Sequence, residues 1–193
     1  MNEANSVVAV QQWFRQLAHD LRQPLSTIDS TAYLLRLTNG DSAELIRMQE
    51  LIQQASQLIS DATTLIEPPE CHLEPIALAG VVEKRLKQRL PSEQERIVFE
   101  AGIQPTVRAD RVQIGRLVDS LLSVGLGANE EQGKIRLSLV APARMELVVP
   151  GGAMESRGIS LEALRVLSER QEAVFSRELR DSKMLLAIEL RRM

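Results

Sequence analysis

The sequence predicts an α+β protein: a long helical hairpin that dimerises into a four-helix bundle, followed by a small α/β sandwich. Two observations support this prediction. In the first third of the chain, apolar residues recur at alternating spacings of three and four, which is typical of helices packed in a bundle. Beyond Glu67-Pro68-Pro69-Glu70 the period changes, and helical segments alternate with short segments in which every second residue is apolar.

The first helix is predicted over about residues 6–38. Its apolar stripe has a/d heptad spacing and consists of Val7, Val10, Phe14, Leu17, Leu21, Ile28 and Leu35. Pro24 lies inside this pattern, where it removes one backbone hydrogen bond. Because the pattern continues on both sides, we expect a kink there and not an end of the helix.

A second helix follows a short turn. Gly40 suits the position after the first helix, and either Asp41 or Ser42 suits the next N-cap, with Asp41 and Glu44 resembling a capping box. The second stripe consists of Leu45, Met48, Ile52, Ala55, Ile59, Ala62 and Ile66. Two helices cannot bury stripes this wide, so we expect a homodimer through residues 6–66.

The remainder is predicted as a separate domain, giving boundaries at 1–67 and 71–193. Helices are expected over 76–90 and 110–126, and short strands over 96–100 and 106–108. Two further strands are expected around 135–139 and 145–149. Ser160 is expected to cap a helix that runs to about residue 180, and a last strand covers 186–190.

Composition excludes several functional classes. Of 193 residues, 44% are hydrophobic and 25% charged, which is ordinary for a globular protein. Lys and Arg number 23 against 26 Asp and Glu, a net charge of −3 without a basic cluster, so no nucleic-acid partner is expected. The single cysteine, Cys71, excludes an intrachain disulfide. No apolar run approaches about 18 residues and the start does not resemble a signal peptide, so we expect no membrane partner and a cytoplasmic location.

The first helix carries the sharpest local motif, His19-Asp20-Leu21-Arg22-Gln23-Pro24-Leu25. With Leu17 and Leu21 at the d and a positions, His19 falls at f, which is farthest from the bundle core. Gln23 follows one turn later on the same outer side. The imidazole is therefore predicted to face solvent, although a surface histidine without any function fits the same geometry.

The stretch LAHDLRQPLSTIDSTAYLL resembles the H-box of the dimerisation and histidine-phosphotransfer domain of two-component sensor histidine kinases. The resemblance implies that His19 accepts the phosphoryl group. It implies that Asp20 orients the imidazole or acts as general base, and that Arg22 supports the site electrostatically. Gln23 stands where the family places an amide or hydroxyl that positions water for dephosphorylating a receiver domain.

A weaker resemblance to the ATP-binding domain of the same family covers residues 71–193, with departures at the nucleotide site. The metal-binding asparagine of the family falls on Val124, an earlier asparagine on Ser120, and a phosphate-binding lysine on Gly127. Pro150-Gly151-Gly152-Ala153 follows a strand where the family has the aspartate that binds adenine. The glycine-rich box is missing, and 152–159 is too short for a lid. The resemblance is thus to a degenerate domain whose nucleotide site is lost.

These features together resemble the histidine phosphotransferases that look like degenerate kinases. The resemblance implies a dimeric phosphorelay protein that passes phosphoryl groups between receiver-domain aspartates through His19. The receiver would supply Mg²⁺, so no cofactor is expected in this chain. The alternatives are a divergent sensor kinase, a phosphatase of response regulators that works through Gln23, and a non-catalytic pseudokinase scaffold. His72, the other histidine, is the competing acceptor and lies in no recognised motif.

Overall fold

The computed structural model describes residues 3–129, 133–151 and 158–192. The chain forms two compact units, which divide between Glu67 and Pro68. The first is all-helical and the second combines helices with two sheets.

The first unit is a helical hairpin of α1 (Glu3–Asn39) and α2 (Ala43–Ile66). Gly40, with φ of 79°, ends α1, as expected for a residue that tolerates the left-handed region. Ser42 is the N-cap of α2, and its Oγ accepts a hydrogen bond from the Leu45 amide at 3.2 Å. The predicted capping box at Asp41 is wrong, because the Asp41 carboxylate instead accepts a hydrogen bond from the Arg36 guanidinium at 2.6 Å.

Helix α1 runs without interruption through Pro24, as the sequence predicts. Ala18 and Ala32 are its most deeply buried side chains, and Ile52 of α2 is also buried. Much of the predicted apolar stripe of α1 stays exposed on the hairpin, including Val10, Leu17, Leu21, Ile28 and Leu35, and Leu51 and Leu58 of α2 are exposed as well. One hairpin therefore leaves a long apolar surface uncovered.

The second unit is an α/β sandwich. In chain order its elements are β1 (Glu74–Ala77), α3 (Leu78–Lys87), α4 (Pro91–Gln94), β2 (Ile97–Ala101), β3 (Thr106–Ala109), α5 (Arg111–Ala128), β4 (Ile135–Val140), β5 (Arg144–Pro150), α6 (Ile159–Arg170), β6 (Val174–Arg180) and β7 (Lys183–Glu189). The main sheet has the order β2-β4-β5-β7-β6, with β2 parallel to β4 and the other neighbours antiparallel. Strands β1 and β3 form a separate antiparallel pair. Helices α5 and α6 pack on the sheet and on each other, and α3 packs on α5.

Two sequence predictions in this unit are wrong. The helix expected over 160–180 is α6, which begins after Gly158 as N-cap and ends at Arg170. The chain reverses at Glu172, whose φ is 54°, and 174–180 then pairs along its whole length with β7. The helix expected from residue 76 begins at Leu78, because 74–77 pairs with β3.

Gly125 lets α5 approach the sheet closely. A Cβ at this position would meet the side chains of Leu147 and Ile135, both of which are fully buried. We therefore expect Gly125→Ala to lower the free energy of unfolding by about 1–3 kcal/mol, measured by urea denaturation.

The matched control is Gly127→Ala, two residues further along α5, where an added Cβ meets nothing within 4 Å. This change should leave stability unchanged or raise it by up to about 1 kcal/mol, because alanine has the higher helix propensity. A Gly125→Ala chain as stable as its Gly127→Ala counterpart would contradict the close packing.

Candidate functional site

His19 lies on the exposed face of α1, and its side chain is 72% exposed. Its Nδ1 is 3.3 Å from Oδ1 of Asp20, slightly longer than a usual N–H···O hydrogen bond. Gln16, one turn earlier, donates from Nε2 to the same carboxylate oxygen at 2.8 Å. Nε2 of His19 forms no hydrogen bond with any residue that the structure describes. The ring therefore has one nitrogen beside an oriented carboxylate and the other accessible from solvent.

Arg22 extends from α1 towards α2. Its Nη2 donates to the hydroxyl of Thr63 at 3.4 Å, and that hydroxyl donates to the carbonyl of Ile59 at 2.6 Å. Residues three apart on a helix are neighbours, so the Arg22 guanidinium lies near His19. Its contact with Thr63 places this positive charge on the side of His19 that faces α2.

Gln23 is exposed on α1, one turn after His19. Its backbone carbonyl accepts a hydrogen bond from the Thr27 hydroxyl at 3.1 Å. Its side-chain amide has no hydrogen bond to a described residue, so it is available to a bound water or partner. The structure thus places all four predicted residues along one stretch of α1.

Sequence reasoning assigned no role to two neighbours, Arg15 and Glu67. The Arg15 guanidinium donates from Nε and Nη2 to the two oxygens of the Glu67 carboxylate, each at 2.5 Å. Nearby, the Gln11 side chain donates to the carbonyl of Ile66 at 3.1 Å. The sequence could have indicated a role for Arg15, because it lies four residues before His19 and therefore on the same face of the helix. Its partner is 52 residues away in sequence, and no local spacing pairs them.

The other histidine, His72, belongs to the second unit. Its backbone amide donates to Asp110 Oδ2 at 2.9 Å, while Oδ1 caps α5 through the amides of Val112 and Gln113. Burial opposes ionisation of Asp110, but these three backbone hydrogen bonds together hold the pKa of its carboxyl below the usual value. The His72 ring forms no hydrogen bond with a described residue. The main chain at His72 has a structural role, and the charge of its imidazole also helps to lower the pKa of the Asp110 carboxyl.

In the region that resembles a nucleotide site, the positions described by the structure are mostly apolar or small. Val124 is 9% exposed and Ser120 is fully buried, both on α5. A cavity of about 190 Å³ between α5 and α6 is lined by Ser123, Val124, Gly127, Ala128, Gly158, Ser160 and Leu161. None of these described lining residues carries a carboxylate, and residues 3–129, 133–151 and 158–192 contain no group of three or more His, Cys, Asp or Glu that could hold a metal. These side chains do not fit Mg²⁺ or the amine of adenine.

The turn after β5 lies partly outside the described residues. Gly151, with φ of 63°, begins this turn. Gly152 and Ala153, and with them most of the segment predicted to be too short for a lid, lie outside the described ranges.

Several solved structures of histidine kinases are similar to this chain. Full-length ShkA in complex with AMPPNP matches with a TM-score of 0.61 at 19% identity, over 94% of this chain and 46% of ShkA. Histidine kinase AdeS of Acinetobacter baumannii matches with a TM-score of 0.56 at 20% identity, over 90% and 97% of the two chains. The cytoplasmic segment of histidine kinase QseC matches with a TM-score of 0.59 at 9% identity, over 78% and 96%.

At these identities the likeness establishes the fold. The chain spans a little under half the length of ShkA. The sequence matches no protein-family model and no curated protein. Among the described residues, no helix is both long and apolar enough to cross a membrane.

Proposed function

We propose, from the histidine-kinase-like core of this chain, that it is a histidine phosphotransfer protein of a two-component phosphorelay. His19 would accept a phosphoryl group from an aspartate of one receiver domain and return it to another. The observation that supports this most strongly is the His19 ring itself. It is 72% exposed, with Nδ1 next to Asp20 and Nε2 without a hydrogen bond to a described residue.

The transfer needs little from this chain beyond a positioned nucleophile and a docking surface. The Nε2 lone pair attacks the phosphorus of the aspartyl phosphate. The Nε2–P bond forms, the P–O bond to the aspartate breaks, and the receiver carboxylate leaves with the bonding electrons. Asp20 holds the tautomer with the proton on Nδ1 and stabilises the positive charge that develops on the ring. The reverse reaction regenerates His19.

The proposal assigns Mg²⁺ and the reacting carboxylates to the receiver domain. It also assigns no nucleotide to this chain, because Val124 offers no oxygen ligand and no carboxylate is among the described residues that line the nearby cavity. A response-regulator receiver domain is thus the partner that the chemistry requires. A second copy of this chain is the partner that the uncovered apolar stripe requires.

We therefore expect that ATP with Mg²⁺ at millimolar concentration does not bind and that the chain does not phosphorylate itself. Isothermal titration calorimetry checks the first statement, and incubation with γ-labelled ATP checks the second. A dissociation constant in the micromolar range would contradict the prediction and favour a divergent kinase.

A phosphatase of response regulators is the second candidate, supported by the free side-chain amide of Gln23 on the same helix as His19. In that function the amide would orient water for attack on the aspartyl phosphate of the receiver. No phosphohistidine would then accumulate.

One experiment separates these functions. Receiver domains from the same genome, each carrying a radiolabelled phosphoryl group, are mixed with the full chain. A phosphotransfer protein takes label from at least one receiver onto a histidine. A phosphatase releases the label as inorganic phosphate, and a scaffold leaves it on the receiver. If no receiver passes label to the wild-type chain, the proposal is wrong.

A further inference from the structure

Arg15 lies one turn before His19 on α1. Residues four apart lie on the same face of a helix. Helical side chains also lean towards the N-terminus, so a side chain covers the turn that precedes its own Cα. A group bonded to Nε2 of His19 therefore lies over the turn that contains Arg15 and Gln16. Gln16 already donates to Asp20, whereas Arg15 is held by a residue from another part of the chain.

That residue is Glu67, where α2 ends. The Glu67 backbone amide donates to the carbonyl of Thr63 at 2.9 Å as the C-cap of the helix. Its carboxylate receives both hydrogen bonds from Arg15. The pair ties the end of α2 to the turn of α1 before His19. The two side chains are 53% and 45% exposed, and ion pairs at such exposed positions contribute little to stability. A stronger anion at the same place can displace the carboxylate.

A phosphoryl group on His19 is such an anion. It carries up to about two negative charges on three acceptor oxygens, and the planar guanidinium binds phosphate in the same two-bond geometry as carboxylate. Arg22 also lies beside His19, but it reaches the Thr63 hydroxyl at 3.4 Å with a single hydrogen bond. Arg15 thus already makes, with the Glu67 carboxylate, the pair of hydrogen bonds that it would make with a phosphoryl group.

We propose that Arg15 is a phosphoryl-binding residue that changes partner when His19 is phosphorylated. In the unmodified chain Arg15 binds Glu67. In the phosphorylated chain it binds the phosphoryl oxygens, and the Glu67 carboxylate is released. The inference rests on the proposed function only in that His19 carries a phosphoryl group. It adds a specific consequence, because the occupancy of His19 then sets whether the end of α2 is tied to α1.

The test uses phosphoramidate as a chemical donor, so that no receiver is needed. Nε2 of His19 attacks its phosphorus, the P–N bond of the donor breaks, and ammonia leaves and takes up the Nδ1 proton. The equilibrium fraction of phosphohistidine at fixed phosphoramidate and ammonium is read by ³¹P NMR on the full chain. Arg15→Gln should lower the equilibrium constant roughly three- to tenfold, the effect of one lost charge-assisted contact at an exposed site. Glu67→Gln should raise it about twofold or more, because it removes the competing carboxylate.

The opposite signs distinguish this role from a structural one. An ion pair that only stabilises the hairpin would be lost equally in both variants, and both would shift the equilibrium in the same direction. Arg36→Gln and Asp41→Asn each break an ion pair near the hairpin turn, at the end of α1 away from His19, and should leave the equilibrium unchanged. If Arg15→Gln and Glu67→Gln change it in the same direction, or no more than these controls, the inference is overturned.

Hydrogen exchange supplies a second measurement. Phosphorylation of the wild-type chain should speed exchange of the Glu67 amide, and the same treatment should have no such effect in Arg15→Gln. If the exchange rate of the Glu67 amide is the same in the phosphorylated and unmodified wild type, Arg15 does not change partner. The inference is also wrong if phosphoramidate does not modify His19 of the wild-type chain. If the two variants shift the equilibrium constant in opposite directions but the wild-type chain accepts no label from any receiver, only the proposed function is wrong. A chain that accepts label from a receiver but shows shifts of one sign would overturn only the role of Arg15.

Discussion

Replacing His19 by alanine should abolish uptake of phosphoryl groups from a phosphorylated receiver domain. The change removes the nucleophile, and no neighbouring side chain of the site can replace an imidazole nitrogen. The fold should be unaffected, because an exposed alanine within a helix costs little or nothing. Label on the chain is measured after brief incubation with the receiver, and the expected level for His19→Ala is the background.

His72→Ala is the matched control and should take up label at the wild-type rate, since the carboxylate beside this histidine, Asp110, is engaged as the N-cap of α5. Asp20→Asn keeps the shape of the side chain but removes its charge. It should slow transfer by about tenfold to a hundredfold, at the lower end of what a proton-handling group contributes. Label that persists on the His19→Ala chain would show that the acceptor has been assigned wrongly.

Replacing Ile28 by glutamate should convert a dimer of this chain into a monomer. Ile28 lies on the apolar stripe that one hairpin leaves exposed, and the proposed bundle buries this stripe between two copies. A twofold interface would bury the new carboxylate twice, at a cost of several kcal/mol for each unpaired ion. Light scattering at micromolar protein should give the mass of two chains for the wild type and of one chain for the variant.

Tyr33→Glu is the control for this experiment. Tyr33 is more exposed than Ile28 and lies five residues further along α1, about 140° around the helix from it. The same charge placed there should leave the dimer intact. A wild-type chain that is monomeric at these concentrations would remove the basis for the four-helix bundle.

The sequence predicted the hairpin more completely than the second unit, and the reason is physical. A stripe sustained over about eight turns of α1, followed by Gly40 and Ser42 at the hairpin turn, leaves few alternative structures. The segment Val174–Arg180 contains Leu, Arg and Glu, which helices also favour, and its strand conformation depends on pairing with Lys183–Glu189. In the same way, the four residues of β1 are specified by their partner strand.

The sequence likewise predicted the local part of the candidate site but not its contact with α2. His19, Asp20, Arg22 and Gln23 are consecutive or nearly so, and one helical period places them along one stretch of α1. The contact between Arg15 and Glu67 joins residues 52 apart, so it depends on how two helices are aligned. Helix periodicity gives the face that each residue occupies but not the level at which a second helix passes it.

Pro24 has a mechanical consequence for the helix that carries His19. Proline has no amide hydrogen, so the carbonyl of Asp20, four residues earlier, receives no hydrogen bond from it. One backbone hydrogen bond of the helix is therefore missing just beyond His19, and the helix bends most easily where such a bond is missing. We therefore expect α1 to bend most readily beside Pro24, so that the longer segment, which contains His19, can tilt relative to the shorter segment that ends at Asn39.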